Sequence, residues 1–205
     1  SKLHLIAAVS LLTAVAFLAP SPAVAQKNKG KPGAGKTVTS PPAWIWLGAT
    51  PADKQTVYFR KSFSLGYRVV SARLYGSCDN QMTVYINGKE VISSDNWEAP
   101  IFREVTDRLD NPTKTENPVQ NVIAVKGYNT NGAAGLLLRL VLENSKKETI
   151  TLVTDETWRV SDQATKGWNT VDFADSDWKK ASVIAKVGAA PWTKLTETVL
   201  QGAAK

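Results

Sequence analysis

Two loops and one isolated tryptophan carry the side chains of this 205-residue chain that are best suited to holding a ligand. The first loop, Ser94-Asp-Asn-Trp-Glu98, places an indole beside one amide and two carboxylates within five residues. Indole rings can stack on the apolar C–H faces of sugar rings, whereas sugar hydroxyls need amide or carboxylate partners. We therefore predict a carbohydrate-binding loop whose contact residues are Asp95, Asn96, Trp97 and Glu98.

The second loop, Asn129-Thr-Asn131, lies between two apolar runs, and the isolated tryptophan, Trp168, follows a Lys-Gly turn. We predict that Asn129, Asn131 and Trp168 also contribute to ligand binding. Each prediction has a structural alternative, because asparagine forms turns by bonding its own main chain. For Trp97 the alternative is packing against the edge of the fold. The tryptophans at the starts of apolar runs are expected to fill the core: Trp46, Trp158 and Trp178.

The composition excludes catalysis by histidine or cysteine pairs. The chain has one histidine, His4, within a segment that we expect to be removed, and one cysteine, Cys78. Ser–His–Asp and Cys–His nucleophiles need an imidazole, and Cys/His zinc sites need more ligands than these two residues supply. Cys78 cannot form an internal disulfide and is expected to be a small buried residue, with a reactive thiol as the alternative.

Carboxylates are the remaining groups that could catalyse a reaction or bind a metal. A glycosidase needs two carboxyl groups facing each other across a cleft. The acids near the first loop are Asp95, Glu98 and Glu104. The acid pairs that could ligate calcium are Asp107 with Asp110, Asp155 with Glu156, and Asp175 with Asp177. Because a turn or cap would use each pair equally well, we predict neither a catalytic residue nor a metal site, with a structural calcium ion as the alternative.

Residues 1–25 have the pattern of a secretory signal. Lys2 precedes an apolar run over residues 5–19, and Ala23-Val-Ala25 has the small-x-small spacing of a cleavage site. Residues 26–40, rich in glycine and lysine, are predicted to be a flexible basic linker. We expect a secreted, periplasmic or envelope protein with no membrane span once the signal is removed. A retained membrane anchor is the alternative.

The basic charge belongs mainly to this N-terminal region. The chain carries a formal charge of +7, and residues 1–36 contain five lysines and no acid, which leaves 20 basic and 18 acidic residues in the remainder. A chain that binds nucleic acid needs a basic stripe on its folded part. We therefore predict no nucleic-acid partner.

From Trp44 onwards the chain is typical of short strands separated by turns. The run 82–86 alternates apolar and polar residues, and Asn87-Gly88 then leads into a second run, which is the strongest short signal for a β-hairpin. The predicted strands are 56–63, 69–77, 82–86, 89–92, 121–127, 135–143, 148–153, 157–160 and 182–187. So many short strands indicate an all-β sandwich, which we assign to residues 41–195, followed by a C-terminal tail over residues 196–205.

Nine short motifs follow one another in a characteristic order along residues 44–192. The motifs are Trp44-Ile-Trp46, Val57-Tyr-Phe-Arg-Lys-Ser-Phe63 and Val84-Tyr-Ile-Asn-Gly-Lys89, followed by those at 94–97, 104–107, 121–125, 134–137, 154–158 and 175–178. Together they resemble the galactose-binding-like jelly-roll modules. The likeness is to the N-terminal accessory module of α-L-rhamnosidases and to the sugar-binding domain of family 2 glycoside hydrolases.

The resemblance implies a non-catalytic carbohydrate-binding module with a jelly-roll fold. In such enzymes the chain continues into a separate catalytic domain, so the module itself is expected to bind rather than to react. The expected partner is a carbohydrate or polysaccharide, together with neighbouring domains or envelope proteins, and no cofactor is expected. The alternatives are a structural protein–protein interaction module of the envelope that binds no sugar, and a small hydrolase that uses carboxylates.

Overall fold

Strands with alternating buried and exposed residues form two antiparallel sheets in the computed structural model, which describes residues 40–113 and 117–202. The strands of these residues are β1 (Ala43–Trp46), β2 (Gln55–Leu65), β3 (Val69–Asp79), β4 (Gln81–Ile86), β5 (Lys89–Ser94), β6 (Ile101–Glu104), β7 (Val119–Asn129), β8 (Gly135–Asn144), β9 (Thr149–Val153), β10 (Arg159–Ser161), β11 (Lys179–Lys180) and β12 (Ser182–Lys186). The first sheet has the order β12-β1-β8-β3-β6, with β9 also paired to β8, and the second has the order β11-β10-β2-β7-β4-β5. This architecture confirms the predicted all-β jelly-roll sandwich.

The main core lies between the two sheets. Leu138 of the first sheet and Phe59 of the second belong to one buried cluster, and neither is more than 1% exposed. Trp46 packs against Phe59 with 5.4 Å between the ring centroids. Trp158 is also buried, so the predicted core role of these two tryptophans is confirmed. Trp178 is half-buried and lies outside this cluster.

A second buried cluster lies on the outer side of the first sheet. Trp44 of β1 stacks on Trp192, with ring centroids 4.2 Å apart, and three leucines surround the pair. One of these, Leu200, comes from helix α1 (Glu197–Gly202) and is fully buried. Part of the segment that the sequence assigned to a C-terminal tail is therefore packed into the fold. A six-residue helix is too short to show a clear apolar period in sequence.

The predicted hairpin between β4 and β5 is confirmed. Asn87 and Gly88 both have positive φ, at 50° and 81°, as a two-residue turn of this kind requires. The side chain of Asn87 also donates to the carbonyl oxygen of Arg108 at 3.1 Å, which ties the turn to a neighbouring loop. Each predicted strand overlaps an observed one, whereas the short strands β1, β6 and β11, which have four, four and two residues, were not among the predicted ranges.

The predicted signal peptide, and all of the predicted linker except Ser40, lie outside the described residues. Within the described ranges, no helix is both long and apolar enough to cross a bilayer.

Asp79 is a buried carboxyl group at the end of β3, beside the second cluster. The indole Nε1 of Trp192 donates to its Oδ2 at 2.9 Å. Burial raises the pKa of this carboxyl above its ordinary value of 3.8, and the hydrogen bond from Trp192 opposes that rise. The folded protein therefore binds this proton more tightly than the unfolded chain does. The contribution of Asp79 to the free energy of unfolding therefore falls as the pH rises from about 3.8 through the raised pKa.

We expect the variant Asp79→Asn to lack this fall, because the amide keeps an oxygen for Trp192 but carries no titrating proton. Urea denaturation of both proteins from pH 3 to 8 measures the effect, and the variant should gain stability relative to the native protein as the pH rises. Asp177→Asn, at an exposed position, is the matched control and should run parallel to the native protein. An Asp79→Asn curve that also runs parallel would contradict the assignment.

Candidate carbohydrate-binding groove

The pairing of β2, β7 and β4 lines up polar side chains on the outer face of the second sheet. Val57 and Phe59 of β2 are buried in the core, so the alternating residue Thr56 points to the other side. The register places Tyr128 of β7 opposite Thr56, and Gln81 of β4 opposite Tyr128. Three separate segments of sequence thereby contribute to one row across the sheet.

A second row follows two residues further along the same strands. Lys126 of β7 lies opposite Tyr58 of β2 on one side and opposite Thr83 of β4 on the other. Ser93 of β5 continues this row, and its hydroxyl donates to Oγ1 of Thr83 at 3.0 Å. The hydroxyl groups of Thr83 and Ser93 are therefore held at the β4–β5 edge of the face.

All members of these two rows except Tyr58 line an open groove of about 590 Å³, which we call the sheet groove. Its lining residues are Thr56, Gln81, Met82, Thr83, Ser93, Ser94, Asp95, Lys126 and Tyr128. They supply hydroxyl groups, one amide, one carboxylate, one ammonium group and one aromatic ring. This set can exchange hydrogen bonds with a polyhydroxylated ligand while the tyrosine ring offers an apolar surface.

An aromatic cluster borders the sheet groove. Trp168 makes edge-on contacts with Tyr58 at 4.9 Å and with Tyr85 at 5.6 Å between ring centroids. Tyr58 and Tyr85 follow Thr56 and Thr83 on the same face of their strands. Burial raises the pKa of Tyr85, and the nearby Glu90 and Tyr58 act in the same direction, so this phenol stays protonated at neutral pH. The cluster extends the apolar part of the face beyond Tyr128.

A buried arginine positions Trp168. The Arg60 side chain lies under residues 168–175, where its Nε donates to Oδ2 of Asp175 at 2.9 Å. Its Nη1 donates to the carbonyl oxygens of Trp168 and Thr170, and its Nη2 to that of Phe173. The guanidinium group also lies 5.0 Å from the centroid of the Phe173 ring. One side chain therefore holds this loop on the sheet.

The structure separates the four predicted residues of the first loop. Asp95 lines the sheet groove. Asn96 and Glu98 are exposed, with Oδ1 of Asn96 accepting from the Glu98 main-chain N–H at 3.1 Å, and Glu98 accepting from Lys194 at 3.0 Å. The Trp97 side chain is half-buried against the second cluster rather than along the groove.

The remaining predicted residues also differ in exposure. Asn129 is fully buried, and its Nδ2 donates to the carbonyl oxygens of Ala52 at 2.9 Å and Gly132 at 3.4 Å. It holds two loops together immediately after Tyr128. Asn131 is exposed at the tip of its loop, and Trp168 is half-buried in the aromatic cluster.

Sequence reasoning missed most of the groove. None of the outward residues of β2, β4 and β7 was predicted to contact a ligand. The available signal was that Tyr58 and Tyr128 place large rings at such positions, where polar residues are usual.

The three carboxylates considered for catalysis have different surroundings, and Glu98 accepts from Lys194. Asp95 is the one carboxylate among the described residues that line the sheet groove, whereas Glu104 accepts from Ser71 and Thr106 beside the first sheet. Glycosidases need two facing carboxyl groups. Cys78 is buried, as predicted, and burial raises the pKa of its thiol, which disfavours the nucleophilic thiolate.

Three of the six acids considered for calcium, Asp107, Asp155 and Asp175, bind other groups of the protein. Asp175 pairs with Arg60, and Oδ1 of Asp155 accepts from the main chain of Thr157 at 2.9 Å. Oδ2 of Asp107 lies 3.5 Å from Nε of Arg108. In the described part of the chain, no three histidine, cysteine or acidic residues come together in a group that could hold a metal ion.

No protein-family model matches the chain, whereas comparison with known proteins gives similarities to α-L-rhamnosidases and to a lectin. The chain is 31% identical over 165 residues to an α-L-rhamnosidase of Streptomyces avermitilis. This alignment covers 75% of the chain and 15% of the enzyme. The crystal structure of an S. avermitilis α-L-rhamnosidase complexed with L-rhamnose superposes with a TM-score of 0.67 at 30% identity, covering 76% of this chain and 16% of the enzyme. A Pleurotus ostreatus lectin in complex with GalNAc gives a TM-score of 0.65 at 24% identity, covering 76% of this chain and 45% of the lectin. The chain thus spans less than half the length of each of these proteins.

Proposed function

Because the chain is a galactose-binding-like jelly-roll module that is similar to part of an α-L-rhamnosidase, we propose that it binds carbohydrate in the sheet groove. The observation that carries the proposal is the composition of the groove. Hydroxyl, amide and charged groups surround one tyrosine ring in a space of about 590 Å³, which suits one or two sugar residues.

The groove matches the two kinds of contact that a sugar makes. Tyr128 offers a ring face to the C–H side of a pyranose, and the aromatic cluster continues that surface towards Trp168. Thr83, Asp95 and Gln81 carry donors and acceptors that can satisfy hydroxyl groups. Asp95 is the predicted ligand-binding residue that the groove includes.

The proposed role is that of an accessory module without catalytic activity. Two facing carboxylates would be needed for glycoside hydrolysis, and Asp95 is the acid that the described residues place in the groove. Export is part of the proposal, since residues 1–25 have the pattern of a secretory signal. Affinity should be low, because an open groove buries little of a flexible ligand.

Filling the groove tests the proposal. We expect Thr83→Trp to abolish carbohydrate binding, because the larger side chain occupies the floor between Lys126 and Ser93. Affinity electrophoresis through gels that contain single polysaccharides, after a glycan-array screen, measures the loss. Ser62→Trp changes an exposed residue elsewhere on β2 and is the matched control. Polysaccharide in the gel should slow its migration as much as that of the native protein.

Two outcomes would count against the groove. The proposal fails if the native protein binds none of the arrayed glycans and is retarded by none of the polysaccharide gels. It also fails if Thr83→Trp is retarded as strongly as Ser62→Trp, because the ligand then binds elsewhere.

A further inference from the structure

One ammonium group lies among the side chains that line the sheet groove. It belongs to Lys126 of β7, a central strand that is paired with β2 on one side and with β4 on the other. The side chain is exposed, and it is the single cation among the described residues that line the groove. Lysines on edge strands often serve to block pairing with another sheet. A central strand has no free edge, so that role does not account for Lys126.

The groups around Lys126 on this face are uncharged. Tyr58 and Thr83 lie opposite it on the two neighbouring strands, and Tyr128 lies two residues along its own strand. None of the ion pairs among the described residues includes Lys126. An ammonium group donates up to three hydrogen bonds and accepts none. Lys126 is therefore suited to an acceptor that a ligand brings into the groove.

A second donor lies beside the ammonium group. The hydroxyl group of Ser93 donates to Oγ1 of Thr83 at 3.0 Å, so the hydroxyl proton of Thr83 is left for another acceptor. Because Thr83 lies opposite Lys126 on the adjacent strand, the Cα atoms of the two donors are about 5 Å apart. A carboxylate accepts through two oxygens and donates nothing. The two donors can therefore serve both oxygens of one carboxylate, and the bond from Lys126 is charge-assisted.

The carboxylate that the groove itself contains lies at its other end. On the β5 side, Ser93 belongs to the row of Lys126, and Asp95 lies two residues beyond Ser93. Two strand spacings and two residues amount to about 12 Å between the Cα atoms of Asp95 and Lys126. The Debye length at physiological ionic strength is about 8 Å, so Asp95 repels an anion at Lys126 only weakly. Asp95 is free to accept from hydroxyl groups of the same ligand.

On the premise that the sheet groove binds carbohydrate, we infer that its ligand is an acidic glycan and that Lys126 determines this specificity. The carboxylate of a uronic acid residue accepts from the ammonium group of Lys126 and from the hydroxyl group of Thr83. The ring of Tyr128 covers a C–H face of the sugar, and Asp95 accepts from its hydroxyl groups. A neutral glycan fits the same groove but lacks the charge-assisted bond, so it binds more weakly.

Polymers that differ only in charge test the inference. Biolayer interferometry compares immobilised polygalacturonate and alginate with the same polymers after methyl esterification, which removes the negative charge of the carboxyl groups. We expect the native chain to bind at least one acidic polymer at least fivefold more strongly than its ester. In Lys126→Gln this preference should fall below twofold. Because Lys126 is exposed and forms no ion pair with a described residue, the variant should fold normally.

Two further variants exclude attraction by basic charge elsewhere in the chain, such as the four lysines within residues 26–36. Lys146→Gln removes the same charge from an exposed position in the turn between β8 and β9, and it should keep the native preference. Thr83→Trp fills the groove and should abolish binding of the acidic polymer. Binding that survives in Thr83→Trp, or a preference that persists in Lys126→Gln, would overturn the inference.

The remaining outcomes separate this inference from the proposed function. If neutral glycans bind in a Thr83→Trp-sensitive manner and the acidic polymers show no advantage over their esters, the groove is a carbohydrate site and the inference is wrong. If no glycan binds at all, the proposed function fails and the inference fails with it. Lys126-dependent binding of dextran sulfate that is stronger than binding of either uronate polymer would overturn the assignment of the anion as a carboxylate.

Discussion

Replacement of Tyr128 by alanine is expected to weaken carbohydrate binding by at least tenfold, or about 1.4 kcal/mol, while the protein stays folded. Tyr128 contributes the aromatic ring among the lining residues, and its position between Thr56 and Gln81 puts it on the groove floor. Its ring is only partly buried, so removing it exposes little of the core. Isothermal titration with the best glycan from an array measures the change.

Two further variants separate the contributions of the ring. Tyr128→Phe keeps the stacking surface and loses only the hydroxyl group, so it should bind within a few-fold of the native protein. Phe102→Ala removes a partly exposed ring from the opposite sheet and should bind normally. Unchanged affinity in Tyr128→Ala would show that the groove is not the site. If Trp97→Ala then lost binding, the ligand would lie at the loop of residues 94–98 that the sequence indicated.

The fold was predictable because its strongest signals are local. The Asn87-Gly88 pair marks a turn whose two positive φ angles other residues tolerate poorly. The alternation around Val57 and Phe59 reports which side of β2 is buried, and the structure places both residues in the core. Helix α1 escaped prediction because six residues carry too little periodic information and because its stability comes from packing Leu200 against a distant tryptophan pair.

The groove was harder to predict because it depends on register. Thr56, Gln81 and Tyr128 are far apart in sequence, and only the pairing of three strands puts them side by side. Reasoning from loops identified Asp95, which the structure places at the groove, and Trp168, which it places in the bordering cluster. The sequence could not distinguish the exposed Asn131 from the buried Asn129, because both are typical turn residues.

Arg60 shows that sequence reasoning has the same limit for contacts in the interior of the protein. By alternation it belongs to the outer face of β2, together with Tyr58, and an arginine there is normally solvated. In the structure its side chain is fully buried, because residues 168–175 fold over it and supply one carboxylate and three carbonyl oxygens. No local pattern announces such a contact, since the partners lie more than 100 residues away.

Loss of the Arg60 side chain should lower the stability of the protein more than the other substitutions described above. We expect Arg60→Met to lower the free energy of unfolding by about 3 kcal/mol, near the lower end of the cost of removing one member of a buried ion pair, because the Asp175 side chain is 23% exposed. Methionine keeps the apolar stem but leaves Asp175 and the carbonyl oxygens of Trp168 and Phe173 without their donor. Urea denaturation, followed by tryptophan fluorescence, measures the loss.

Arg68→Met makes the same chemical change at an exposed position, and its stability should stay within 0.5 kcal/mol or so of the native value. Arg60→Lys should fall between the two, because one ammonium group cannot reach every acceptor that the guanidinium group serves. If Arg60→Met folds with residues 168–175 released, Trp168 leaves Tyr58 and Tyr85, so carbohydrate binding should weaken together with stability. A loss below about 1 kcal/mol would mean that water replaces the guanidinium group and that the loop holds its place without Arg60.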